Sequence, residues 1–348
     1  MIQETTSFSH AWTVAVLAGG RSAERDVSLR SGAAVTAALR AGGHRVIEFD
    51  PARDNLSAID WKALPDGPPA AGRIVSVDAV FIALHGAFGE DGGVQKLLED
   101  QQVPYTGSDS VASAIAFSKW AAKQEFVTAG VPTPTACRIN AVDPPGFAYS
   151  AADTLGYPLV IKPDRQGSSI GVTIVPSREH LDRALNDCFR FDTSGLLETA
   201  VLGDEWTVAV IDDEALPPIR IGTSREFYDY TAKYDADDTQ YVFDDAPSAL
   251  TESLQKLGRA ACRAIGTKGI ARVDLRLNQA GQPFVLEVNT IPGFTDHSLV
   301  PKAAARLGIS MTALCERAIA SALEAHHARK NSRVLPGPLP TLPRRRAG

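Results

Sequence analysis

The chain has 348 residues, 44% hydrophobic and 22% charged, enough for two or three compact domains around well-buried cores. A formal net charge of -6 provides no global positive field for a polyanion, so nucleic acid is a poor expectation as a partner. Cys137, Cys188, Cys262 and Cys315 form no CxxC or Cys/His pair and are expected as buried thiols in a reducing, cytoplasmic compartment; no apolar run reaches the roughly 18 residues of a membrane span, and no basic-then-apolar start suggests a secretory signal.

In chain order, Trp12–Ala18 is a short apolar, β-branched run stopped by Gly19 and Gly20, and it reads as a buried strand. From Ser28 to Ala41, Leu29, Ala33, Val35, Ala38 and Leu39 recur at helical spacing, with Gly42 and Gly43 beyond the end. A second strand is expected over Arg45–Phe49 and a third over Asp78–Leu84, with an amphipathic segment from Gly93. Strand, helix and strand in that order imply a parallel βαβ unit whose functional loops follow the strand C-termini.

Beyond Gly107 the pattern changes to α+β. One helical stretch is expected over Val111–Ala129, stopped by the Gly-Val-Pro-Thr-Pro run ending at Pro134. Tyr157–Lys162 reads as strand, Leu181–Phe191 as helix and Leu196–Glu198 as strand. Further strands are expected at Thr207–Ile211, Pro218–Gly222, Ile270–Leu277 and Gln282–Val288, with helices over Ser248–Ile265 and Met311–His327. The proline-rich, basic tail reads as disordered.

Four segments carry chemistry. The turn Gly19–Glu24 joins a strand to a helix; it is either a plain tight turn or an anion-friendly helix start, and its Glu24 is either a well-placed first-turn acid or a ligand for a substrate ammonium. The loop His85–Gly93 combines a histidine, two acids and four glycines after an apolar strand, which favours function without fixing a role for His85. In Lys162–Gly171 a strand delivers a lysine to a Gly/Ser-rich loop able to fold over phosphates, although the order is not that of a P-loop. The strongest signal is the pair of strands carrying Arg272-Val-Asp-Leu and Leu-Glu-Val-Asn289. Hairpin pairing sets Asp274 beside Glu287, and the period of two sends Glu287 and Asn289 to the same face. Three such oxygen donors suit Mg²⁺ shared with nucleotide phosphates, the bland alternative being the polar outer face of an ordinary hairpin. The loop Thr290–Leu299 follows, with Gly293 able to present a free N–H.

At these residues the sequence resembles the D-alanine–D-alanine ligases of the ATP-grasp superfamily, through AGGRSAERDVSLRSG, FIALHGAFGEDG, VPYTGS, LVIKPDRQGSSIG, FYDYTAKY, GIARVDL and LEVNTIPGFTDHSLVP. The resemblance spans about Val14 to His327 and implies a Rossmann-like substrate domain (1–107) followed by a two-lobed ATP-grasp fold (108–198 and 199–330), with the tail at 331–348. It implies joining of two D-alanines through a D-alanyl phosphate, with ATP and two Mg²⁺ or Mn²⁺ ions, by a homodimer serving peptidoglycan synthesis. By matching motifs, Lys119, Lys162 and Lys233 would contact phosphates, Glu198 would sit near the adenine and Glu205 near the ribose. Asp274, Glu287 and Asn289 would bind the metal, and Glu24 would hold the first ammonium, linked to Ser168 and Tyr234. His85 would lie near the first substrate, Arg272 and the Gly293 N–H at the oxyanion, and Ser298 at the second carboxylate. Tyr234 favours an amine acceptor over D-lactate; D-serine use and a degenerate ATP-binding module are the alternatives. Gln166 stands where an acid is frequent, Thr199-Ala200 replace Lys-Trp, Thr231 replaces an acid, and Tyr241–Asp245 is unusually acidic.

Overall fold

The computed structural model describes residues 10–65, 74–222, 240–243, 246–295 and 297–333. Strand β1 (Thr13–Leu17), helix α1 (Arg25–Ala41) and strand β2 (Arg45–Phe49) form the expected βαβ unit. A short ribbon of β3 (Leu64–Pro65) and β4 (Ile74–Val75) precedes β5 (Ala79–Ile82), and the parallel sheet runs β2-β1-β5. Central β1 pairs on both edges and its Val14–Leu17 segment is buried, which is why it reads as an unbroken apolar run. Helix α1 starts at Arg25, three residues before the expected Ser28, because Ser28 is itself buried and bonded to the sheet (Oγ to Ala83 O, 2.7 Å).

After α2 (Gly93–Asp100), the helix expected over Val111–Ala129 is in fact two: α3 (Ser110–Phe117) and α4 (Lys119–Thr128). Ser118 between them is extended (ψ 108°) and its hydroxyl accepts from Ala121 N at 3.2 Å. Asp164, 44 residues away, accepts from Trp120 N at 2.8 Å. The new helix thus opens on Lys119.

The next sheet, β6-β9-β7-β8, is antiparallel throughout. It comprises β6 (Ala136–Asn140), β7 (Leu159–Pro163), β8 (Thr173–Val175) and β9 (Ser194–Thr199), with α5 (Phe147–Leu155) and α6 (Leu181–Phe189) packed on one side. Of these, β6, α5 and β8 were not anticipated.

The last sheet has the order β13-β12-β10-β14-β15 and is also antiparallel, with β11 (Glu214–Ala215) paired to β10. Its strands are β10 (Glu205–Ile211), β12 (Ile219–Gly222), β13 (Gln240–Val242), β14 (Ile270–Leu277) and β15 (Pro283–Asn289). Helix α7 (Ser248–Ile265) lays Leu254, Ala261 and Ile265 over Val208, Val273 and Val285, with Leu254 and Ile265 each stabilising by about 1.5–3 kcal/mol. Gly258 allows that approach, since a Cβ there would meet Val208 at 3.0 Å.

An unanticipated helix α8 (Leu299–Arg306) follows the Gly293 loop, and α9 (Met311–Arg333) closes the fold, extending six residues past His327. Leu314, Ala318 and Ile319 of α9 join Val14 and Val16 to Ala209 and Ile211, so the first and last sheets share one core. All four cysteines are free, as expected; Cys188, Cys262 and Cys315 are buried, whereas Cys137 on β6 is only partly so, against the expectation of four buried thiols. No helix among the described residues is long and apolar enough to cross a membrane. Lys233, Tyr234 and the tail from 334 lie outside the described residues.

Candidate active site

The β14–β15 register puts Asp274 opposite Glu287 and Arg272 opposite Asn289, so these four side chains share one sheet face. The alternate residues Val273, Leu275, Val285 and Val288 are buried on the other face under α7. A bulge breaks strict alternation: the pairing slips between Asp274 and Leu275, leaving Leu286 as the extra residue, and both Leu286 and Glu287 line the cleft.

Asp274 is anchored. Arg272 grips it through Nε and Nη2 (2.8 and 2.7 Å), and Thr207 Oγ1 donates at 2.7 Å. Glu287 is more open, its side chain 30% exposed, with Lys119 Nζ 3.4 Å away. Among the described residues no three His, Cys, Asp or Glu side chains converge on one point. Asn289, whose Oδ1 accepts from Ile291 N at 2.8 Å, extends the set along the same face. Hard oxygens of this kind fit a divalent cation that completes its shell with phosphate and water.

Across the cleft, Lys162 enters on β7 and meets Glu198 of β9 at 2.9 Å. The other Glu198 oxygen lies 2.8 Å from Lys123 Nζ, an electrostatic contact rather than an aligned hydrogen bond. Burial works to raise the Glu198 carboxyl, but Lys162 and Lys123 together hold it below the usual carboxylate range. Burial brings the Lys123 ammonium down to about 8 against the pull of Glu198. Lys123 also donates to Thr133 Oγ1 and Pro134 O, both at 2.7 Å, tying α4 to the segment beyond it. Lys119 bonds Gln166 O at 2.6 Å, which fastens the Gly/Ser loop to the start of α4. On β10, Glu205 faces Arg276, 3.5 Å away.

Two adjoining cavities result. Lys119, Lys162, Glu198, Glu205, Asp274 and Glu287 line one; Glu24, His85, Ser168, Arg272, Asn289 and Gly293 line the other; Lys119 and Glu287 belong to both. In the second, Ser168 Oγ donates to Glu24, and a Cβ on Gly86 or Gly167 would stand 3.0 or 3.1 Å from the same carboxylate. Ser168 holds a positive φ of 53°, a left-handed turn that brings its hydroxyl back over Glu24. Ser298 is set apart from this lining: it caps α8 and its hydroxyl contacts Thr295 N (3.0 Å) and Thr295 Oγ1 (2.9 Å), with Gly293 packed beside it. Among the described residues, a larger hollow between Gly19–Ser22, 51–57 and Leu84–Gly89 shares only His85 with the site. Sequence reasoning missed Lys123, Asp164, Thr207 and Ser31, because their partners lie in distant segments, and it saw Glu90 only as an acid of the His85 loop without its bond to His85.

The crystal structure of a D-alanine–D-alanine ligase from Bacillus anthracis complexed with ATP matches with a TM-score of 0.77 and 30% identity, covering 92% of this chain and 100% of that one. Two antiparallel α+β lobes facing one another over a lysine-lined cleft, behind a parallel N-terminal sheet, define a protein of the ATP-grasp class. Family models of the D-ala D-ala ligase C-terminus and N-terminus match residues 140–320 and 50–108. The D-alanine–D-alanine ligase of Ectopseudomonas mendocina (strain ymp) is 45% identical over 313 residues, 90% of this chain and 95% of that protein; the one from Nitrosomonas europaea is 44% identical over 302 residues, 86% and 94%. The chain belongs to the D-alanine–D-alanine ligase family.

Proposed function

We propose that the chain joins two D-alanines at the expense of ATP, through a D-alanyl phosphate, to supply a peptidoglycan precursor. One observation supports this above the rest: Glu287 and Lys119 stand where a lysine-lined nucleotide cleft opens into a second cavity floored by Glu24. A carboxylate is a poor electrophile, and its approach to a triphosphate is repulsive. Lys119 and Lys162 counter that repulsion on the nucleotide side, with Glu198 aiming Lys162. Asp274, Glu287 and Asn289 would hold Mg²⁺ or Mn²⁺, which supplies charge neutralisation of the phosphates; the two-ion count belongs to the same proposal.

Glu24 receives the ammonium of the first D-alanine and so points its carboxylate toward the phosphates. Ser168, bonded to Glu24, draws the Gly/Ser loop over the bound substrate and excludes water from the acyl phosphate. Ser298 and the N-terminal end of α8 offer N–H groups to the second D-alanine's carboxylate, which orients its amine. As the amine attacks, Arg272 and the Gly293 N–H face the developing oxyanion.

The test is phosphate release with ATP, Mg²⁺ and individual amino acids. D-alanine alone should support turnover, with L-alanine inactive. Equal release with D-lactate or D-serine as acceptor would move the assignment to a sister ligase, and ATP binding without D-alanine-dependent release would overturn it.

A further inference from the structure

We propose that Ser31 is a positioning residue through which His85 braces the acceptor loop, so that His85 acts as a strut and not as a proton carrier. This rests on the ligase reading above. Both ring nitrogens of His85 are taken by the protein: Nδ1 lies 3.4 Å from Glu90 Oε1 and Nε2 3.0 Å from Ser31 Oγ. The ring is buried, and its backbone is fixed by Ser22 Oγ donating to His85 O at 2.6 Å. With both nitrogens engaged, the imidazole has no free lone pair or proton to offer a substrate without breaking one of these bonds.

The other side of Ser31 gives the chain its purpose. Its hydroxyl, 1% exposed, accepts from Phe294 N at 3.3 Å. Phe294 follows Gly293 directly, and its ring packs edge-on against Phe81 of β5 at 5.3 Å. A continuous path thus runs Glu90–His85–Ser31–Phe294, from the loop after β5 to the loop that presents the Gly293 N–H. Ser31 sits on α1, the same helix that Glu24 caps. The helix therefore carries a group for the first substrate at its start and a support for the acceptor loop two turns on. Donor and acceptor halves of the site are held in one frame.

Steady-state kinetics with the whole chain tests this, because the Michaelis constants for ATP, the first D-alanine and the second D-alanine separate. Ser31→Ala should lower kcat about 10-fold and raise the second constant, with the other two within about 2-fold, since misplacement of the acceptor by a fraction of an ångström suffices for such a loss. Glu90→Ala, at the far end of the path, should give the same pattern to a smaller extent, and it carries the test if Ser31→Ala does not fold. His85→Gln should lower the pH–rate profile without changing its shape. A vanished limb in that profile, an unchanged second constant, or a uniform rise in all three would overturn the proposal. Failure of the unaltered protein to release phosphate with D-alanine would instead sink the ligase reading itself.

Discussion

Two glutamates face the lysine-lined cleft, and their surroundings differ sharply. Glu198 is buried, with one oxygen on Lys162 and the other against Lys123. Glu287 is 30% exposed, with Lys119 Nζ 3.4 Å from its carboxylate. An acid clasped on both oxygens is part of the scaffold: it fixes a lysine and holds two strands and a helix together. An acid partly exposed on a sheet face can be reached from solution. The same residue type is thus locked into the architecture on one wall and, in the proposed reading, serves chemistry on the other, and burial is what separates the two settings.

The comparison breaks first at Glu287. Glu287→Gln keeps shape and removes charge, and it should lower kcat by about 10³-fold or more in phosphate release while the unfolding free energy stays within about 1 kcal/mol. Glu198→Gln should do the reverse in kind. It strands two buried ammonium groups, and urea unfolding should show a loss of about 3–5 kcal/mol; a stability near that of the parent would show that Glu198 is not the clasp described. Lys123→Met sharpens the contrast through pH. The unfolded chain keeps the lysine proton to about 10.5 and the folded chain only to about 8, so between these values the unfolded state binds more protons. The burial penalty is full below pH 8 and is relieved as pH rises. Parent stability relative to the variant should climb on the order of 2 kcal/mol from pH 8 to 10, and a flat difference would remove the assigned cause.

The hairpin was legible because Arg272 and Asp274 alternate with Val273 and Leu275, and Glu287 and Asn289 flank Val288, a pattern that a single sheet face imposes; the slip that puts Val285 on the parity of Glu287 was not. The βαβ unit was legible for the same kind of reason. The break at Ser118 was not, since half of what caps α4 is Asp164, brought in from the next sheet. Helix α8 was hidden by Pro301, which reads as a breaker although it sits in the first turn, where its missing N–H has no partner to lose. Lys123 looked like one more polar position on a helix until β9 supplied Glu198. Glu90 and Ser31 gave only the local cues of a glycine-rich loop and a helix, while their shared contact, His85, was visible as interesting but not as bonded on both sides.

The slip at Leu286 bears on how this segment tolerates change in length. The extra residue is confined to one position, and the ladder on either side keeps its parity, so a chain lacking it would still set Glu287 against Asp274. Between Glu287 and Asn289 there is no such slack. A single insertion there would rotate the amide into the packed layer under α7 and bring an apolar neighbour out in its place. Adjacent stretches of one strand therefore differ in evolutionary latitude, permissive just before the acid and intolerant just after it.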